Sequence, residues 1–102
     1  MRFIETSLFT RLLPDHLPDD EYAEMQWYLL HHPESGALIP GSGGVRKLRW
    51  QGSGRGKRGG LRVIYYYRKS ESEIWLLTLY PKNVTSNIPG HVLKAMKREI
   101  ET

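Results

Sequence analysis

Apolar residues change their spacing several times along this chain, and each change predicts an element. Phe3 and Ile4, within the segment 2–6, predict a short first strand. Leu8, Phe9, Leu12 and Leu13 follow at spacing i, i+1, i+4 and i+5, which makes one apolar face of a short helix. Ser7 stands where a cap belongs, and Pro14 predicts its end. Residues 15–18 read as a turn. Asp19, Asp20 and Glu21 then place three carboxylates where a helix N-terminus favours them. Tyr22, Met25, Leu29 and Leu30 recur at helical spacing, Trp27 and Tyr28 widen the apolar surface, and Pro33 stops the helix.

The period then becomes two. Residues 33–44 carry two prolines and four glycines and predict a loop, with Leu38 and Ile39 tucked back against the core. From Val45 to Trp50, Val45, Lys47 and Arg49 share one side, and Arg46, Leu48 and Trp50 the other. Residues 51–60 (QGSGRGKRGG) read as a long hairpin connection. Residues 61–67 (LRVIYYY) are β-branched and aromatic, with Arg62, Ile64 and Tyr66 on one face. Residues 73–80 (EIWLLTLY) are nearly continuous in apolar residues, which predicts a central strand covered on both faces. Three strands joined this way form an antiparallel meander, with the first strand pairing at an edge. A last helix follows Pro89, with Ser86 or Asn87 as cap and Val92, Leu93, Met96 and Ile100 as its core-facing stripe.

Charge sharpens this outline. Residues 1–34 hold seven acids and two bases, and residues 35–70 hold nine bases and no acid. Residues 71–102 hold four of each. So one-sided a block, interleaved with glycine and aromatic residues, points to an anionic partner such as nucleic acid. A chain of 102 residues fits one domain. It has no cysteine, so no disulfide framework or thiolate zinc site is expected. The N-terminus is too short and polar for a signal peptide, and no apolar run is long enough to span a membrane. A cytoplasmic protein is the expectation.

Most catalytic constellations are missing. The basic half has no carboxylate pair, and His16, His31, His32 and His91 match no zinc spacing. His31 and His32 are neighbours on a helix, about 100° apart, which suits a C-terminal charge position better than joint ligation. The match to GxGxxG within residues 52–60 is weak, because no strand–helix unit surrounds it. What remains is a cluster of cations on a sheet. Lys47 and Arg49 on one strand, Arg62 on the next and Lys82 after the third converge if the meander pairs in register. Such a cluster would clamp a phosphodiester and stabilise the added charge of its pentacoordinate transition state, with no metal or cofactor. A lysine crowded by other cations would act more readily as a base. Trp50, Tyr65, Tyr66 and Tyr67 offer rings for base stacking, although core packing accounts for most of them.

The stretch GSGGVRKLRWQGSGRGKRGGLRVIYYY, followed by IWLLTLYPKN and preceded by EYAEMQWYLLHHPESGALIPG, resembles the RelE/ParE toxin superfamily, most closely its HigB-like branch. The likeness covers roughly residues 20 to 88. It implies a single α+β toxin domain over residues 1–102. In that fold two N-terminal helices pack on a small antiparallel sheet of about four strands, and a C-terminal helix follows. It also implies a metal-independent endoribonuclease that enters the ribosomal A site and cuts mRNA there, with the 2′-oxygen as nucleophile. A cognate antitoxin would block the site, and the complex would bind operator DNA.

By the same likeness Lys47 and Arg49 match the basic pair on the second strand, Arg62 the arginine opening the third, and Lys82 a basic residue after the fourth. Typical RelE members have a tyrosine early in the C-terminal segment. Ser86, Asn87 and Ile88 offer none, which leaves Tyr80, His91 or a lysine for proton transfer. Arg46 and the loop cations Arg55, Lys57 and Arg58 are expected to contact RNA. Two other readings share the charge pattern: a ParE-like inhibitor of DNA gyrase, and a non-catalytic nucleic-acid-binding module.

Overall fold

A computed structural model of the chain describes residues 1–51, 60–83 and 88–101. Five strands and three α-helices alternate as β1 (Arg2–Glu5), α1 (Ser7–Leu12), α2 (Asp19–His31), β2 (Ala37–Leu38), β3 (Val45–Trp50), β4 (Leu61–Arg68), β5 (Glu73–Pro81) and α3 (Gly90–Glu101). The sheet order is β1-β5-β4-β3-β2. The α+β class and the antiparallel meander β3–β4–β5 are as expected.

The sheet itself has five strands rather than about four, and it is mixed. β1 runs parallel to β5, with Phe3 opposite Ile74 and Ile4 opposite Trp75. β2 is a two-residue strand, Ala37 opposite Lys47 and Leu38 opposite Arg46, inside the segment expected to be loop. Leu38 is 59% exposed there and does not tuck into the core, whereas Ile39 does pack against it.

Burial explains both layers. On one face Phe9, Met25 and Leu29 from α1 and α2 cover Leu48, Leu61, Val63, Tyr65, Ile74, Leu76 and Leu79. On the other, Leu93 of α3, with Met96 and Ile100, covers Val45, Ile64, Leu77 and Tyr80. Each fully buried aliphatic or aromatic side chain contributes about 1.5–3 kcal/mol. Leu30 and Val92 were expected in these stripes but lie at the solvent edge.

Local chemistry sets the ends. Thr6, not Ser7, caps α1. Its backbone is extended, its Oγ1 accepts the Phe9 N–H at 3.1 Å, and its hydroxyl donates to the Leu77 carbonyl at 2.8 Å. Ser7 is already helical. Pro14 allows one 3-10 turn, Leu13–Asp15, after α1 ends. The cap expected at Ser86 or Asn87 falls outside the described residues. α3 begins against the β2–β3 connection so closely that a Cβ on Gly90 would lie 2.2 Å from the Pro40 carbonyl oxygen. Only glycine permits that approach.

Candidate active site

The pairing register brings the basic residues together. Val45 opposes Tyr66, Lys47 opposes Ile64, and Arg49 opposes Arg62. Arg62 in turn opposes Tyr80. Directly paired residues project to the same face, so Arg49, Arg62 and Tyr80 form one row across three strands, about 10 Å from end to end. Lys47 lies on the same face in the neighbouring row, opposite Ile64.

Tyr80 reaches this face because of an irregularity. Ile64 pairs with Thr78 and Tyr65 with Leu76, which leaves Leu77 as an extra residue in β5. Counting by twos from Leu76, a regular strand would turn Tyr80 toward α1 and α2. The bulge shifts the phase, so Leu76 and Leu79 stay on that side while Leu77 and Tyr80 face α3.

A cleft of about 480 Å³ opens over this face. Lys47, Arg49, Ile64 and Tyr80 form its floor, residues 37–40 one wall, and Ile88, Pro89, Gly90 and Leu93 the other. Among the described residues its polar side chains are therefore two cations and a phenol, with no carboxylate or imidazole in the lining. Gly90, the first residue of α3, lines the cleft, so the positive end of that helix dipole lies beside it. Arg49 is exposed, Lys47 and Arg62 are half-buried, and Tyr80 is buried. Burial raises the Tyr80 phenol above its ordinary value, and the charge of Arg62 only partly opposes this. The raised phenol favours the protonated, hydrogen-donating form.

Other expected site residues are placed elsewhere. Arg46 projects from the opposite face of β3, and its Nη1 donates to the carbonyls of Glu34 at 2.9 Å and Gly36 at 2.8 Å. It ties the segment after α2 to the sheet, which gives it a structural use in place of a free surface for RNA. Beside it, the Tyr65 hydroxyl donates to Pro33 at 2.8 Å and accepts the Gly36 N–H at 3.0 Å. Lys82 is exposed two residues beyond Tyr80, outside the cleft lining, and its N–H donates to the Gly60 carbonyl. His91 is the exposed second residue of α3 and likewise does not line the cleft. Arg55, Lys57 and Arg58 lie outside the described residues. No group of three His, Asp or Glu among the described residues is arranged to hold a metal ion.

Sequence reasoning missed the walls. Pro40, Pro89 and Gly90 carry no catalytic chemistry, and their meeting depends on the close approach at Gly90. The only hint was a glycine immediately after a helix-starting proline.

Residues 33–101 match the model of the family described as the RelE toxin of the RelE/RelB toxin–antitoxin system. The chain belongs to the RelE toxin family. The matched segment begins just after α2 and contains the whole β2–β5 and α3 unit, hence every residue of the cleft. The protein is thus the toxin of a toxin–antitoxin pair, and an antitoxin is its partner. Among the described residues no helix is long and apolar enough to cross a membrane.

Proposed function

We propose that this RelE-family toxin is a ribosome-dependent endoribonuclease that cuts mRNA in the A site and so stops translation. The observation that carries this reading is the row Arg49–Arg62–Tyr80 with Lys47 beside it. Lys47, Arg49 and Tyr80 line the cleft, and Arg62 stands between Arg49 and Tyr80 in register but outside the lining. No carboxylate lines the cleft among the described residues. Cleavage without a metal needs cations around the phosphate and a proton donor for the leaving oxygen. The 2′-hydroxyl oxygen attacks the adjacent phosphorus, the bond from phosphorus to the 5′-oxygen breaks, and a cyclic 2′,3′-phosphate remains. Arg49 and Arg62 hold the phosphate oxygens, whose negative charge grows in the transition state. Tyr80, kept protonated by burial, gives its proton to the departing 5′-oxygen. Lys47 receives the proton of the 2′-hydroxyl.

Lys82, outside the cleft lining, and the loop cations Arg55, Lys57 and Arg58 contribute charge to ribosome binding. The run GSGGVRKLRW with GKRGGLRVIYYY supports the HigB-like branch within the family. The antitoxin would close the cleft in the cytoplasm, and the pair would bind operator DNA.

Primer extension on a message induced together with the toxin tests this reading. Codon-phased cuts are expected, and they vanish when the start codon of that message is destroyed. Intact messages, with purified protein that blocks DNA gyrase supercoiling, would overturn it in favour of a ParE-like activity.

A further inference from the structure

On the opposite side of the sheet from the cleft lies a second concavity that cleavage does not use. Its volume is about 260 Å³, and it is lined by Glu24, Trp27 and Tyr28 of α2 and Trp50 of β3. Tyr28 and Trp50 meet at 5.8 Å between ring centroids, tilted by 54°. Trp27 is 64% exposed, far more than any core role explains. Its ring meets that of His31 at 4.3 Å between centroids, tilted by 37°. Among the described residues no hydrogen-bond donor or cation holds the Glu24 carboxylate. The Trp50 indole N–H is buried without a partner among the described residues. As a donor it can be met only by an acceptor, such as a backbone carbonyl of a bound peptide segment, and not by a cation.

We propose that this pocket binds a cationic side chain, an arginine or lysine, presented by a protein partner. Three aromatic side chains beside one carboxylate are a composition that attracts a guanidinium or ammonium group, through cation–π attraction and charge together. Asp20, exposed one helical turn before Glu24, adds a second carboxylate on the same helix. The same charge disfavours RNA, whose phosphates would approach a negative surface here, although the rings alone could stack a base. The toxin would therefore have two faces with opposite preferences, a basic cleft for nucleic acid and an acidic aromatic pocket for a basic protein segment.

The test uses the ¹⁵N-labelled protein and two small probes, N-acetyl-arginine methylamide and its neutral analogue N-acetyl-citrulline methylamide. The indole N–H signals of Trp27 and Trp50 report on the pocket directly, and that of Trp75 serves as internal control. The arginine probe is expected to shift the first two with an affinity about tenfold above the citrulline probe. Glu24→Gln should weaken arginine binding several-fold, and Trp27→Ala should abolish it. Both side chains are exposed, so these variants keep the core. Equal responses to the two probes, or binding unchanged in both variants, would overturn the proposal. So would shifts at Trp27 and Trp50 with adenosine but not with the arginine probe, which would mark the pocket as a base-stacking platform.

Discussion

The two faces of the central sheet are built from the same three strands and differ in what they bury. Toward α1 and α2 the middle of the sheet is fully committed: Leu48, Val63, Tyr65, Ile74 and Leu76 are buried under Phe9, Met25 and Leu29. Toward α3 only the middle is filled, by Val45, Ile64, Leu77 and Leu93, and the end near β3 is left to Lys47, Arg49 and Tyr80 of the cleft lining, with Arg62 paired between Arg49 and Tyr80. β3 shows the contrast within six residues. Arg46 points one way and its guanidinium is taken by two backbone carbonyls. Lys47 and Arg49 point the other way and line the cleft. The lesson is that a cation's neighbours, not its place in a basic run, decide whether it serves structure or chemistry.

The largest effect expected is on the filled face. Phe9 is fully buried, so Phe9→Ala should lower unfolding free energy by about 3–5 kcal/mol in urea titrations. A value under about 1 kcal/mol would mean that α1 is not part of the core described here. On the cleft face the reverse is expected. Tyr80→Phe keeps the ring and removes only the hydroxyl, so stability should change little while mRNA cleavage falls about 100-fold. Unchanged cleavage would remove Tyr80 as the proton donor and leave the Lys47 amine or His91 to be tested next.

A third test concerns the sheet edge and separates it from both faces. Glu73 is buried where β5 begins. It accepts hydrogen bonds from Arg2, which comes from β1, and from the Trp75 indole at 3.1 Å, and Arg68 lies 3.7 Å away. The Arg2 and Trp75 hydrogen bonds and the nearby guanidinium charges hold its carboxyl below the ordinary value of 4.5. A group whose pKa is depressed by folding stabilises the fold above its unfolded pKa and loses that contribution as pH falls through the folded one. Urea midpoints should therefore hold steady from neutral pH down to about 5, then decline. Glu73→Gln should flatten part of that decline, and an identical acid profile would contradict the role given to this carboxylate.

Much of this arrangement is legible in the residues because local and global signals agree. Strict alternation over Val45–Trp50 assigns both faces of β3, and three acids followed by a proline-terminated apolar stripe delimit α2. Where the reading failed, the deciding interaction is distant in sequence. Ala37 and Leu38 have no pattern of their own and become a strand only because β3 offers an edge. The parallel pairing of β1 depends on a strand about seventy residues later. In β5 the apolar run hides the bulge at Leu77, which alone decides that Tyr80 joins Arg62. Lys82 and Arg62 both stand outside the cleft lining, but Arg62 is paired with Arg49 and Tyr80 whereas Lys82 lies beyond the end of β5.

One measurement goes to the centre of the account. Primer-extension cleavage of a translated message should be compared for Arg62→Ala and Arg46→Ala, with urea stability measured on both. The account predicts that Arg62→Ala loses about 100- to 1000-fold in cleavage with near-normal stability. Arg46→Ala should lose stability, by about 1–3 kcal/mol, while retaining cleavage once folded. Equal cleavage by wild type and Arg62→Ala, or greater loss from Arg46→Ala at matched stability, would contradict it.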